Sequence, residues 1–216
     1  MTRSVLIIDG PPASGKSTIT TYLRHKYAVL VYHYKRLGFV NMFYGLLLKV
    51  LPSLYCYTRK GDRSDNVILV CPKYLEKLYM ITFTLEVIYK VFRYILISSL
   101  LLSKRPFVVD EGIALGWANY LYLMLYRGAL KSKHVLLFIR LDLTFLRLLS
   151  NISNVFYCLI DRRLDVLERF WYMRGNKTPY DLKYYGLVRY SFRLFSEVYA
   201  RSGIRARVKY IFLNAK

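Results

Sequence analysis

The stretch Ser4-Val5-Leu6-Ile7-Ile8-Asp9-Gly10-Pro11-Pro12-Ala13-Ser14-Gly15-Lys16-Ser17 decides how this chain is read. Ser4 to Asp9 is an apolar, β-branched run that stops at a glycine turn, which predicts a buried parallel strand. Gly10 to Ser17 match the pattern G-x-x-x-x-G-K-[ST] without a gap, and Ser17 to Lys26 have helix-compatible composition. Pattern and context therefore agree. Such a loop works through its main chain: the backbone N–H groups and the helix N-terminus present fixed positive potential to phosphates, and the glycines permit close approach. Gly10, Pro11, Pro12, Ala13, Ser14, Gly15, Lys16 and Ser17 are expected to cradle a nucleotide triphosphate, with Thr18 a further candidate at its α-phosphate. The alternative is an incidental glycine-rich turn between a strand and a helix.

The chemistry of that pattern assigns roles. Lys16 is expected to reach the β- and γ-phosphate oxygens and spread the charge that develops in transfer, while the Ser17 hydroxyl ligates Mg²⁺. Asp110 ends the apolar run Phe107-Val108-Val109-Asp110 and is the candidate second holder of the metal, acting through a water; Glu111 is a candidate to orient or activate the nucleophile. Either carboxylate could instead cap the helix that follows. Asp9, beside the loop, is a further candidate base. ATP and Mg²⁺ are the implied cofactors.

Outward from the loop, strands and helices alternate. Strands are expected at Ala28 to Tyr32, Phe107 to Asp110, Val155 to Ile160 and Val208 to Leu213, in addition to the first. Helices are expected from Pro72 to about Leu102, after Gly112, over Asp165 to Arg174 and over Thr178 to Tyr199, with short helices around a polar loop at Thr58 to Asn66. Lys133 to Leu149 fits strand or helix by periodicity and is read as mostly helix, because another strand candidate lies just beyond. Within the long helix Glu86, Lys90 and Arg93 recur near helical periods and read as one wet stripe. Five short strands separated by helices, with no internal repeat, predict a three-layer α/β/α sandwich built on a five-stranded parallel sheet. With 216 residues, one domain over 1–216 is expected.

A 55% hydrophobic content with 22 Tyr and 12 Phe supplies a core and excludes a disordered chain. The 34 Lys and Arg against 13 Asp and Glu leave a net charge of +21, a field that draws nucleotides, nucleic acids or acidic lipid. Cys56, Cys71 and Cys158 form no C-x-x-C pair, and His25, His33 and His134 lack metal-ligand spacing, so a reduced, zinc-free protein is expected. The N-terminus offers no signal-peptide core, and the charges within Met80 to Leu102 argue against a membrane span. A cytoplasmic protein follows.

In the order and spacing of these pieces the chain resembles the P-loop nucleoside and nucleotide kinases, and among them the thymidylate-kinase-like proteins. The resemblance implies a strand order of 2-3-1-4-5. Where that family has an apolar strand ending in Asp-Arg, this chain has Asp110-Glu111, so Asp110 carries over and Glu111 departs. Phe156 to Asp161, then Asp165 to Arg169, then Arg174-Gly175 look like the family's fourth strand and the helix entering its lid, a lid-like segment around 162–181. It implies that Arg169 lies near the adenine and Arg174 near the ATP phosphates as a further catalytic group, with Arg162 and Arg163 looser candidates and Thr178 to Asp181 the lid's outer edge. Acceptor groups would fall at Tyr34, Lys35, Arg36 and Arg93; Arg59, Lys60 and Arg63 are either an acceptor clasp or a basic surface loop.

The function these features imply is ATP-dependent phosphoryl transfer to a nucleoside monophosphate or nucleoside. A polynucleotide 5′-kinase, which the positive charge favours, is the alternative enzyme, and a nucleotide-dependent nucleic-acid-binding switch is the alternative outside catalysis. No N-K-x-D segment for guanine is present. A homodimer is compatible with the sequence, and a membrane partner is not expected.

Overall fold

A computed structural model describes residues 4–33, 75–101, 106–110, 112–125, 131–176 and 179–213. Among these, five strands and six helices alternate: β1 (Ser4–Asp9), α1 (Lys16–Tyr27), β2 (Leu30–His33), α2 (Leu75–Leu100), β3 (Phe107–Asp110), α3 (Ile113–Leu125), α4 (Ser132–Ile152), β4 (Asn154–Arg162), α5 (Leu164–Met173), α6 (Leu182–Arg201) and β5 (Arg207–Leu213). The strands form one parallel sheet in the order β2-β3-β1-β4-β5, the expected order with β2 and β5 at its edges.

Side-chain alternation along each strand divides the core in two. Val5, Ile7, Phe107, Val109, Val155, Tyr157 and Leu159 face the larger cluster, built with α2, α3, α4 and α6. Ile8, Val108 and Ile160 face the other side, where Ile19 and Leu23 of α1 cover them. The second strand starts two residues later than expected because Ala28 takes a left-handed conformation, φ 49°, that closes α1. α6 starts at Leu182 because the Asp181 side chain accepts a hydrogen bond from the Tyr184 amide at 3.0 Å, an N-cap. Gly175, at φ 79°, stops α5. The segment 34–74, with the polar loop and its expected short helices, lies outside the described residues.

One expectation fails in an informative way. Lys90 and Arg93, read as a wet stripe, are only 5% and 9% exposed, whereas Ile88, Val91, Phe92 and Ile95 of the same helix are turned outward. The cause is Asp142 on α4, itself buried. Its carboxylate accepts a 2.5 Å hydrogen bond from Lys90 Nζ and a 2.9 Å bond from Trp117 Nε1 of α3. The ammonium also lies 5.1 Å from the Tyr120 ring centre and 5.7 Å from that of Phe138. Burial alone would push the Lys90 pKa down, but the adjacent carboxylate outweighs it and the ammonium holds its proton more tightly than usual. Asp142 stands at a core position of an otherwise apolar helix face with Val135, Phe138, Phe145, Leu146 and Leu149, so the pair fastens α2, α3 and α4 together.

Removing one charge of this pair leaves the other buried and uncompensated. Asp142→Asn is expected to cost about 3–5 kcal/mol of unfolding free energy in urea titrations. The double replacement of Lys90 by Met and Asp142 by Leu should cost less than Asp142→Asn alone. A larger loss for the double variant would show that the ion pair does not carry the coupling.

Candidate active site

The loop between β1 and α1 is bent by two left-handed residues, Ala13 at φ 64° and Gly15 at φ 92°. Alternation of hand along a short segment turns successive amides to one side and makes a concave anion site. A non-glycine residue such as Ala13 adopts that region at a cost, and such strain gathers at functional sites. No side chain caps the N-terminus of α1 at Gly15, so its first amides and the dipole behind them face the loop. Lys16, which opens the helix, bridges two loop carbonyls: its Nζ donates to Gly10 O at 2.6 Å and Pro11 O at 3.0 Å. Ser14 Oγ is buried and has no hydrogen-bond partner among the described residues. A Cβ on Gly10 would lie 2.6 Å from the Ile160 carbonyl and 2.8 Å from Ser14 Oγ, so glycine is required there by close approach.

Asp9 closes the strand below the loop and is fully buried. Its Oδ1 accepts from the Gly10 amide at 3.0 Å, and its Oδ2 accepts from the Leu115 amide at 3.0 Å and from the Tyr157 hydroxyl at 2.7 Å. The Tyr157 oxygen in turn accepts from the amides of Ile113 at 2.7 Å and Ala114 at 3.0 Å. Carboxylate and phenol together thus satisfy three amides that the N-terminus of α3 would leave without partners. Expected as a candidate base, Asp9 is instead fully engaged in joining the loop to α3. A Cβ on Gly112 would fall 2.7 Å from Asp9 Oδ2, so the residue before α3 must be small.

The register explains what flanks the loop. Asp9, the last residue of β1, pairs with Leu159, so Ile160, Asp161 and Arg162 of β4 run on beside the loop while still paired with Ile211, Phe212 and Leu213 of β5. Arg162 Nε donates to Ser14 O at 2.8 Å, and its guanidinium lies 5.3 Å from the Phe170 ring centre. Asp161 is fully buried. It accepts from Arg189 Nε at 2.8 Å, from the Tyr210 hydroxyl at 2.7 Å and, more loosely, from the Tyr185 hydroxyl at 3.4 Å. Burial and the Asp161 charge raise the pKa values of Tyr185 and Tyr210, and burial with the Asp9 charge raises that of Tyr157 well above the ordinary phenol range.

The expected site residues fall into four groups. Gly10 to Thr18 and Asp110 lie at the sheet's carboxyl edge, Asp110 in register with Ile8 of β1 and with His33 of β2. Ser17 and Thr18 are exposed at the start of α1, and Asp110 is buried at the end of β3. Arg169 and Arg174 are exposed on α5 and at its C-cap. Among the described residues no hydrogen bond ties either to the loop; Arg163 is exposed and paired with Asp165 at 3.1 Å. Arg93 sits inside the α2–α4 cluster, where its charge opposes the rise that burial causes in the pKa values of Asp142 and Tyr32. Glu111, Thr178, Tyr34, Lys35, Arg36, Arg59, Lys60 and Arg63 lie outside the described residues. Tyr157, Asp161 and Tyr180 fall within the expected fourth strand and lid edge but carry no role of their own in the sequence reading, because a tyrosine inside an aromatic-rich strand or loop has no local signature. Asp161, last acidic residue of an apolar strand, shared the cue that singled out Asp110.

The sequence matches no protein-family profile and no curated protein. Among solved structures, a thymidylate kinase from Candida albicans superposes with a TM-score of 0.54 at 15% identity, covering 99% of this chain and 86% of that one. A deoxyadenosine kinase from M. mycoides with bound dATP gives 0.51 at 12% identity, covering 99% of this chain and 93% of that one. The same enzyme with bound dCTP gives 0.50 at 11% identity, covering 95% and 89%. The fold is that of the P-loop nucleoside and nucleotide kinases.

The phenols of Tyr157, fully buried, and Tyr210, half-exposed against Asp161, make stability sensitive to alkali. A tyrosine whose pKa is raised in the fold binds its proton more tightly than in the unfolded chain. Its stabilising contribution is whole below the ordinary value of 10.0 and is lost as pH climbs toward the folded value. The melting temperature should stay nearly level to about pH 10 and fall steeply above it. Tyr210→Phe should soften that fall, as followed by circular dichroism together with phenolate absorbance. A level profile to about pH 11.5 would mean these phenols are not held in the arrangement described.

Proposed function

We propose that this chain is a kinase that transfers the terminal phosphoryl group of ATP, bound with Mg²⁺, to a nucleoside or nucleoside monophosphate, with thymidylate the first acceptor to try. The observation that carries the reading is the loop itself: an uncapped helix N-terminus, two left-handed residues and a lysine ammonium meet within Gly10 to Ser17. That donor set is suited to a polyphosphate and to little else. Ser17 and Asp110 would hold the magnesium, an all-oxygen pair that leaves further positions for phosphate and water, as this cation prefers. When bound, the metal would supply positive charge that offsets the charge of the phosphates.

The protein's own contribution is placement and charge. Lys16 would turn its ammonium toward the β- and γ-phosphates, exchanging loop carbonyls for stronger, doubly charged partners. Arg174 would add a planar fork against the transferring group, and Arg169 would lie near the adenine. Glu111 would orient the acceptor hydroxyl or phosphate. Closure of the segment around 162–181 over the loop would exclude water, which otherwise takes the phosphoryl group and wastes ATP. The kinase would act as one domain in the cytoplasm, and a homodimer is compatible with this reading.

The net charge of +21 favours a second reading, a kinase acting on the 5′ end of a polynucleotide. A salt titration separates the two, because binding to an oligonucleotide falls steeply with ionic strength and binding to a mononucleotide does so far less. An acceptor screen with labelled ATP over nucleosides, monophosphates and oligonucleotide ends tests both together.

Lys16→Ala should lower kcat about 10²- to 10³-fold while the melting temperature stays within a few degrees of the parent. Undiminished turnover would remove the lysine from the reaction. Arg174→Ala should lower kcat more than it raises KM for ATP, since a guanidinium that meets charge mainly in the transition state does little for the ground state. An equal loss in both would make it a simple binding contact.

A further inference from the structure

A loop that turns its amides inward turns its carbonyls outward, and those carbonyls need donors of their own when they are buried. Each arc of this loop has one. Lys16 serves the carbonyls of Gly10 and Pro11. Tyr180, in the connection between α5 and α6, donates its hydroxyl to Pro12 O at 3.2 Å. Arg162, last residue of β4, donates Nε to Ser14 O at 2.8 Å. The two outer donors differ in strength: the guanidinium bond is charge-assisted and of ordinary length, whereas the phenol bond is long for an O–H donor. Arg162 is also fixed from two sides, by the Phe170 ring and by Gly15, where a Cβ would come within 3.3 Å of the guanidinium.

We propose that Arg162, assisted by Tyr180, is a positioning residue that holds the phosphate loop in its anion-binding shape from outside, by fixing the Ser14 and Pro12 carbonyls. The inference rests on the nucleotide-binding reading above and adds a separate cause for the loop's shape. Three features support it. Arg162 is on a strand that overhangs β1 by three residues, so its backbone is anchored by β5 on the far side. The carbonyl it holds belongs to Ser14, the residue between the two left-handed positions, where the chain is least inclined to keep its course unaided. Tyr180 is packed edge-on against both Trp171 and Tyr185, so its hydroxyl brings the α5–α6 connection to the loop. Any shift of that connection would be felt at Pro12.

The test uses the full chain and two measurements. In hydrogen–deuterium exchange without nucleotide, Arg162→Gln should speed exchange of the amides of residues 13–18 about tenfold, and Tyr180→Phe about two- to threefold, as loss of a stronger and a weaker bond requires. Exchange in α4 and β5 should be unchanged. In calorimetry, Arg162→Gln should weaken MgATP binding about tenfold, with KM for the acceptor unaltered and Arg162→Lys recovering part of the loss. Faster exchange throughout the molecule would make Arg162 a general packing residue and overturn the proposal. Weaker MgATP binding with unchanged loop exchange would make it a direct phosphate contact and overturn it equally. If the parent protein binds no MgATP while Arg162→Gln still loosens residues 13–18, the positioning role stands and the kinase reading falls.

Discussion

Asp9 is the constraint on which the site depends. A carboxylate without solvent exposure at the end of the central strand is costly unless its oxygens are well served, and here one serves the first amide of the β1–α1 loop and the other reaches the N-terminus of α3 directly and through Tyr157. The result is a common origin for two segments far apart in sequence: the loop that follows β1 and the helix that follows β3. Asp110 stands at the end of β3, two residues before the crowded Gly112. Loop and acidic strand are thereby held in one frame by a single buried carboxylate.

A second buried charge pair fixes the helical layer behind the sheet. Lys90 and Asp142 sit among aromatic rings and join α2 to α4, with Trp117 of α3 as a third member. Apolar side chains of similar volume could fill the same space, so the pair contributes direction more than raw stability: an ion pair with hydrogen bonds is satisfied in one relative placement of the helices, and greasy contacts are satisfied in many. Arg93 on the same side of α2 belongs to this cluster and is buried, where its helical spacing had suggested a wet face.

Strand identity and the glycine-rich loop were legible because each rests on local pattern, β-branched runs between glycine turns and a consecutive motif whose meaning does not depend on distant residues; the sheet order came only from the family resemblance that these pieces carry. The stripe on α2 misled because periodicity reports that residues share a face without saying which face is wet. A lysine and an arginine at helical spacing look solvated until Asp142, 52 positions from Lys90, supplies the countercharge. Arg162 was undervalued for a related reason. Its place beside the loop follows from β4 extending past β1, and register between strands separated by more than a hundred residues leaves no trace in either strand alone. Arg169 and Arg174 rest on likeness to a lid helix, which gives their order along the chain and not their reach.

The three-residue overhang of β4 also bears on how portable this kind of site is. An engineer who grafted Gly10 to Ser17 onto another strand–helix junction would carry the motif but leave behind the neighbouring strand whose Ile160 carbonyl crowds Gly10 and whose Arg162 grasps Ser14. The transplant would keep its consensus and lose its mould. The smallest transferable unit is two adjacent parallel strands cut to unequal length, with the loop lying in the step between them.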